Sequence, residues 1–156
     1  MSRVEQTIDV DVPVRTAYDQ WTQFESFPRF MEGVERVTQV DDTNLEWHAN
    51  VGGQDKTWTA QIVEQTPDQR IAWRSTSGAQ NAGIVSFTPN GPESTRVTLD
   101  LEADPEGPLE SIGDALGLLE RRVKGDLERF KEFIEGRGVP TGAWRGEVHG
   151  SQVDRS

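Results

Sequence analysis

Few side chains in this sequence are of types that do acid–base or nucleophilic chemistry. The chain holds two histidines, one tyrosine and no cysteine, which excludes disulfides, thiolate metal sites and cysteine nucleophiles. His48 stands between Trp47 and Ala49 in an alternating segment and is expected to face solvent, while His149 lies close to the carboxyl terminus. The sequence contains no HExxH, P-loop or Gly-x-Ser-x-Gly motif. We therefore expect no metal site and no cofactor.

Three polar side chains are weak catalytic candidates for a reaction that needs an acid or base positioned in a cavity. Tyr18 falls one turn before Trp21, and it is expected to be either a helix–sheet contact or a ligand contact. Ser75 is a second candidate, and Arg74 is a third if its strand twists or bulges. The alternation of residues places no acid or base on the inward face of the predicted strands.

Large apolar side chains give the stronger indication of function. Trp47, Trp58 and Trp73 occupy inward positions on three successive predicted strands, and Phe87 occupies one on a fourth. Each buries about 150–250 Å², so core packing alone is a sufficient reason for any one of them. As a set they also suit a cavity for a flat apolar ligand. The candidate ligand-binding residues are Trp21, Phe27, Phe30, Met31, Trp47, Trp58, Trp73, Phe87, Leu116, Leu119 and Val123.

One long helix is predicted near the carboxyl terminus. Apolar residues recur at spacings of three and four from Leu109 to Ile134, which indicates about seven helical turns with one buried face. Gly136 and Gly138 are expected to end this helix. Because the strands before it must also bury one face, the pattern predicts a sheet that wraps the helix.

Alternating apolar and polar residues predict the strands. The first strand ends at Pro13, and residues 14–31 have the spacing of two short helices separated by a proline turn. Short turn sequences separate the later strands, which favours an antiparallel meander. We therefore predict an α+β fold with a curved antiparallel sheet of six to seven strands. The later strands are Val34–Val40, Leu45–Val51, Lys56–Glu64, Arg70–Ser75, Ala82–Thr88 and Thr95–Glu102.

Charge and length limit the partners. The 156 residues suit one domain, and the formal charge of −11 repels phosphate backbones, so nucleic acid is not an expected partner. No apolar run reaches the length of a membrane span, so stable membrane insertion is not expected and a cytoplasmic location is the default. Residues 1–138 are predicted to form the domain. Residues 139–156 are glycine-rich and are predicted to be a flexible tail, with Trp144 docking on the body or on a second subunit of a homodimer as the alternative.

The order of these elements resembles the START and Bet v 1 helix-grip proteins, also called the SRPBCC superfamily. Within that superfamily the sequence is most similar to the polyketide cyclase/dehydrase and coenzyme Q-binding branch. The resemblance covers residues 3–136 and implies a helix-grip fold with two short helices after the first strand. It is carried by Ile8–Val10 with Pro13, by Phe27–Met31, by Arg70–Ser75 and by Gly83–Pro89.

Three functions follow as hypotheses. The first is binding or carriage of a hydrophobic small molecule, aromatic, polyketide-like or of the isoprenoid or quinone type, in an internal cavity. The second is an aromatase/cyclase or dehydratase that shapes a polyketide-like chain in the same cavity, since positioning alone lowers a barrier. The third is a stress-associated module that binds a partner protein without a ligand. Whether the chain is an enzyme stays open at this point.

Overall fold

The computed structural model of the chain describes residues 2–31, 33–51, 53–78, 80–103, 115–150 and 152–154. A first strand is followed by two short helices, six more strands, a long helix and two terminal strands. The helical elements are α1 (Val14–Trp21), a 3-10 helix (Phe24–Arg29) and α2 (Ala115–Arg137). The strands are β1 (Ser2–Val10), β2 (Val34–Gln39), β3 (Asn44–Val51), β4 (Gln54–Thr66), β5 (Arg70–Gly78), β6 (Asn81–Pro89), β7 (Thr95–Ala103), β8 (Glu147–His149) and β9 (Gln152–Asp154).

Antiparallel pairing places the main strands in the order β1-β7-β6-β5-β4-β3-β2. Successive side chains of a strand point to opposite faces, so the predicted inward residues share one face of this sheet. We call it the inner face, and many of its members are fully buried. The prediction of an α+β fold with an antiparallel sheet and a long carboxyl-terminal helix is confirmed. Buried members of the inner face include Leu45, Ile62, Ile71, Val85 and Val97.

The long helix α2 packs against the inner face through the predicted stripe of apolar residues. Its buried members, each exposed by 3% or less, are Val123, Leu127, Phe130 and Ile134. The helix ends where Gly138 adopts a φ of 74° and its N–H donates to the Ile134 carbonyl over 2.9 Å. The predicted helix start at Leu109 lies outside the described residues. No helix in the described ranges is long and apolar enough to cross a membrane.

The carboxyl-terminal residues differ from the predicted aperiodic tail, because they contain β8 and β9. Pairing between β3 and β4 extends only to Asn44 opposite Gln61, so the next part of the β4 edge is free to accept another strand. There β8 pairs, with Val148 opposite Gln65 and fully buried. Strands of three residues are too short to give a period-two pattern, which is why the sequence did not predict them. The division of the chain at residue 138 stays a prediction.

The segment between α2 and β8 packs against α1. The Gln20 amide exchanges two hydrogen bonds with Thr141, one from its Nε2 to the Thr141 hydroxyl over 3.0 Å and one from the Thr141 backbone N–H over 2.8 Å. The backbone N–H of Trp144 donates to the Thr22 hydroxyl over 3.1 Å. The Trp144 side chain packs against the core cluster. This residue is therefore placed against the body of the same chain.

Candidate functional site

One end of the inner face is filled by aromatic rings. The Trp21 ring lies 4.8 Å from the Phe130 ring and 6.3 Å from the Phe87 ring, measured between centroids. The Phe27 and Phe30 rings are 5.4 Å apart. All of these side chains are exposed by 4% or less. We call this region the sealed end, defined by Trp21, Phe27, Phe30, Phe87 and Phe130; its rings are packed in the manner of a protein core.

The other end of the inner face carries Trp47, Trp58 and Trp73, and each of them is only partly buried. We call this region the tryptophan end. Trp47 on β3 lies directly opposite Trp58 on β4, and their rings are stacked with centroids 5.5 Å apart and planes 8° apart. Phe27 joins the two ends, because its ring lies 5.8 Å from the Trp47 ring. The tryptophan end thus presents large apolar rings that the described parts of the protein cover only in part.

The Trp73 ring is held in place by two residues of β6. A Cβ atom added at Gly83 would lie 2.5 Å from the indole Cζ2, so the ring crosses β6 only because this position is glycine. The indole Nε1 donates a hydrogen bond to the Asn81 side-chain oxygen over 3.3 Å. The Asn81 backbone N–H in turn donates to the Ser75 hydroxyl over 3.1 Å. Trp73 therefore has a defined orientation on the inner face.

The predicted ligand-binding residues divide between these regions. Trp21, Phe27, Phe30 and Phe87 belong to the sealed end, and Val123 is buried on α2. Met31 is partly buried beside the core cluster, as are Trp47 and Trp73. The side chains of Leu116 and Leu119 lie outside the described residues. A direct role in ligand binding for any of these residues stays a prediction.

Tyr18 lies under the carboxyl-terminal segment and has no exposed surface. Its ring contacts Phe87 edge-on with centroids 5.4 Å apart, and the Arg145 guanidinium lies 5.5 Å from the ring centroid. Burial raises the pKa of Tyr18 to about 12. The phenol therefore stays protonated at neutral pH and is able to exchange hydrogen bonds but not to act as a base.

Arg145 closes this region by bridging two carboxylates. Its guanidinium donates to Asp19 over 2.5 Å and to Asp68 over 2.7 Å, which joins α1 to the turn between β4 and β5. Burial lowers the pKa of Arg145, but the hydrogen bonds to Asp68 and Asp19 outweigh it, and the net shift is upward. The side chain stays charged and holds the carboxyl-terminal segment over Tyr18.

Arg74 and Ser75 are placed differently from a catalytic pair in a cavity. Arg74 is exposed and pairs with Gln61 and Ala82 on the outer face of the sheet, because the register shifts between β4 and β5 do not turn it inward. It borders a shallow outer groove of about 240 Å³. Ser75 opposes the buried Ala60, and its hydroxyl accepts the backbone hydrogen bond at the β5–β6 turn. Arg74 and Ser75 both line an open groove of about 410 Å³ at the β5–β6 turn.

Sequence reasoning did not find the supporting roles of Gly83 and Arg145. A single glycine inside a strand pattern indicates a close approach by a neighbouring group, and that pattern is present at Gly83. Its partner Trp73 is identified only by the strand register. Arg145 carries no local pattern, since its partners Asp19 and Asp68 are distant in sequence.

An antiparallel sheet packed on one long carboxyl-terminal helix, with two short helices after the first strand, defines a START-like helix-grip protein. The chain belongs to the family described as polyketide cyclase/dehydrase and lipid transport, whose model matches residues 10–132. This confirms the resemblance drawn from the sequence. Membership supports a role in binding a hydrophobic ligand or in polyketide cyclisation.

The chain is also similar to individual proteins. An uncharacterised 17.2 kDa protein of Streptomyces lincolnensis is 52% identical over 149 residues, which are 95% of this chain and 99% of that protein. A START superfamily protein of Mycobacterium smegmatis has a TM-score of 0.70 at 18% identity, covering 88% of this chain and 97% of its own. The Zhui aromatase/cyclase of a Streptomyces species has a TM-score of 0.71 at 19% identity, covering 86% and 94%. At these identities the two structures support the fold alone.

Proposed function

We propose that the protein binds a hydrophobic small molecule against the tryptophan end of the inner face. The observation that carries this proposal is the contrast in burial between the two ends. Trp21 is exposed by 2%, whereas Trp47, Trp58 and Trp73 are each only partly buried on the same face. Covering apolar surface is favourable by about 25 cal/mol per Å², so a ligand that covers these rings gains affinity from each of them.

The shape of the tryptophan end favours a ligand with flat rings. The rings of Trp47 and Trp58 lie in nearly parallel planes, and the Trp73 ring lies against Gly83. Aromatic rings prefer offset-stacked or edge-to-face contacts, which an aromatic, polyketide-like or quinone-like ligand is able to make with this set. The family description, which joins polyketide cyclases with lipid transport, supports a polyketide-like or lipid ligand.

A second candidate function is cyclisation or dehydration of a polyketide-like chain at the same place. The family description and the aromatase/cyclase among the structural relatives favour it. In such a reaction the aromatic rings would act by holding the chain in a folded shape, since effective positioning supplies several kcal/mol of a barrier, up to about 7–11 kcal/mol. Tyr18 would contribute only through contacts of a neutral phenol, given its raised pKa.

A titration with menadione, a small flat quinone, tests the proposal. The chain has no cysteine, so menadione does not form thiol adducts, and its binding is read from quenching of tryptophan emission. We expect saturable binding that Trp58→Ala weakens about tenfold, since a lost aromatic contact is worth about 0.5–1.5 kcal/mol beyond its area.

Ile84→Ala is the matched control, because Ile84 is an exposed apolar residue on the outer face of β6. This variant is expected to bind menadione like the wild type. Native mass spectrometry of the protein purified from its own cells gives a second readout, in which a co-purified hydrophobic molecule supports the proposal. The proposal fails if menadione and a panel of polyketide-like aromatics all leave the emission unchanged.

A further inference from the structure

The indole N–H of Trp47 differs from that of Trp73 on the same face. Its Nε1 atom is buried and has no hydrogen-bond partner among the described residues, although the Trp47 side chain as a whole is only partly buried. The Nε1 of Trp73, on the same face, donates to Asn81 over 3.3 Å. A buried donor without an acceptor is unfavourable, and buried donors in folded proteins are nearly always satisfied. The Trp47 N–H therefore requires an explanation.

The surroundings of Trp47 offer it aromatic rings as neighbours. The Trp58 ring is stacked parallel to it with centroids 5.5 Å apart, and the Phe27 ring is tilted against it at 5.8 Å. The adjacent polar residue His48 points to the other face of the strand, where Arg36 hydrogen-bonds to its Nε2 over 3.1 Å. Two aromatic rings therefore pack against Trp47 at the tryptophan end.

The other buried polar atoms without partners belong to a different region. Within the described ranges they are the Tyr18 hydroxyl, the Gln65 Nε2 and the Asp68 Oδ1. Gln65 and Asp68 both act on the pKa of Tyr18, so these groups lie within reach of one another. Because that cluster contains donors and acceptors together, small side-chain movements are able to pair them. In the part of the chain that the structure describes, no acceptor lies within hydrogen-bond distance of the Trp47 Nε1.

We propose that the Trp47 Nε1–H, which is enclosed in the ligand-free protein, donates a hydrogen bond to an oxygen of a ligand that displaces the side chains covering it. This inference rests on the proposed function and specifies it further. The ligand class is then a flat hydrophobic molecule that carries a carbonyl oxygen, or another neutral acceptor, at the edge of its ring system. The rings of Trp47 and Trp58 contact its apolar surface, and the indole N–H sets its orientation. A hydrocarbon of the same shape binds at the same place without this hydrogen bond.

Fluorenone and fluorene form the matched pair of probes, because they share one flat ring system and differ by a carbonyl in place of a methylene. In the wild type we expect fluorenone to bind about fivefold more tightly than fluorene, in line with one neutral hydrogen bond. Trp47→Phe should remove this preference and leave fluorene binding within about twofold. Trp58→Phe also replaces one indole of the stacked pair by a smaller phenyl ring but keeps the Trp47 donor. This variant should therefore retain the preference for fluorenone.

The indole N–H resonances in a ¹H–¹⁵N spectrum give a readout that does not depend on a variant folding or on affinity. Fluorenone should move the Trp47 Nε1–H proton resonance downfield, and fluorene should not. Equal affinity for both probes, with no such difference in the Trp47 resonance, overturns this inference and leaves the proposed function intact. Failure of both probes to bind contradicts the proposed function as well.

Discussion

The sealed end and the tryptophan end are built from the same residue types, yet their surroundings differ. Trp21 is enclosed by Phe27, Phe30, Phe87 and Phe130, with every side chain of that set exposed by 4% or less. The three tryptophans of the other end remain partly exposed. Residue type alone therefore does not separate a fully buried aromatic from a partly exposed one. The elements packed over each ring decide how far it is buried.

Three layers cover the sealed end. The 3-10 helix brings Phe27 and Phe30 over Trp21, and α2 brings Phe130. The carboxyl-terminal segment then lies across α1, held by Arg145 and Thr141. Such a region gains stability from packing, whereas the partial exposure of the tryptophan end leaves apolar surface for a partner molecule to cover.

Substitution of Phe130 should produce the largest effect. Phe130→Ala removes a side chain with no exposed surface and leaves a cavity among Trp21 and Phe30, so we expect a loss of about 3–5 kcal/mol in the free energy of unfolding. Urea unfolding monitored by circular dichroism measures this loss. Trp58→Ala is the counterpart at the tryptophan end and should cost clearly less. Equal losses for the two variants would mean that the two ends are packed alike.

Removing Arg145 tests how much the carboxyl-terminal segment that lies across α1 stabilises the protein. Arg145→Ala leaves Asp19 with most of its surface buried and without this partner, so a loss of about 2 kcal/mol is expected. Arg96→Ala breaks an exposed ion pair with Asp9 and should cost less than about 1 kcal/mol. Binding of menadione should be the same in both variants, since neither residue lies at the tryptophan end. A selective loss of binding in Arg145→Ala would contradict the separation of the two ends.

Gly83→Ala tests the orientation of Trp73. The added methyl group would meet the Trp73 ring at 2.5 Å, so the ring must move, at a cost of about 1–2 kcal/mol in stability. Near-ultraviolet circular dichroism should change, and menadione affinity should fall. Gly136→Ala is the control, because nothing lies within 4 Å of its added Cβ and the helix there tolerates alanine. Unchanged dichroism in Gly83→Ala would show that Trp73 is not fixed by this glycine.

Ionisation of Tyr18 should lower the free energy of unfolding only at alkaline pH. Its folded pKa of about 12 lies above the ordinary value of 10, so the folded state keeps the proton longer than the unfolded state does. Stability should therefore fall as pH rises between 10 and 12, and Tyr18→Phe should flatten this fall. Tyr18 is the single tyrosine of the chain, so absorbance near 295 nm reports it directly. Ionisation at its ordinary value in the folded protein would place the phenol in solvent.

The sequence predicted the main strands and the face of the sheet on which each residue lies, because alternation is a local property. Trp47, Trp58 and Trp73 lie on the inner face as expected, since a period of two fixes which side each residue takes. Local patterns do not report partners distant in the chain. The contact of Trp21 with Phe130, the approach of Trp73 to Gly83 and the pairing of Val148 with Gln65 all depend on tertiary register.

For the same reason the sequence did not separate the eleven candidate ligand-binding residues into core and exposed sets. Trp21 and Trp73 both occupy apolar positions of amphipathic elements, and only the elements packed over them distinguish the two. The sequence also did not predict that the Trp47 N–H lacks a partner among the described residues, because this depends on which acceptors surround the ring in space.

Fluorine NMR of protein labelled with 5-fluorotryptophan tests the central claim most directly. Each of the five tryptophans gives one resonance, assigned by single Trp→Phe substitutions. On titration with menadione, the resonances of Trp47, Trp58 and Trp73 should shift saturably with a common dissociation constant, while that of Trp21 stays in place. A titration that leaves these three unchanged, or that moves Trp21 as strongly as them, would contradict a ligand site at the tryptophan end.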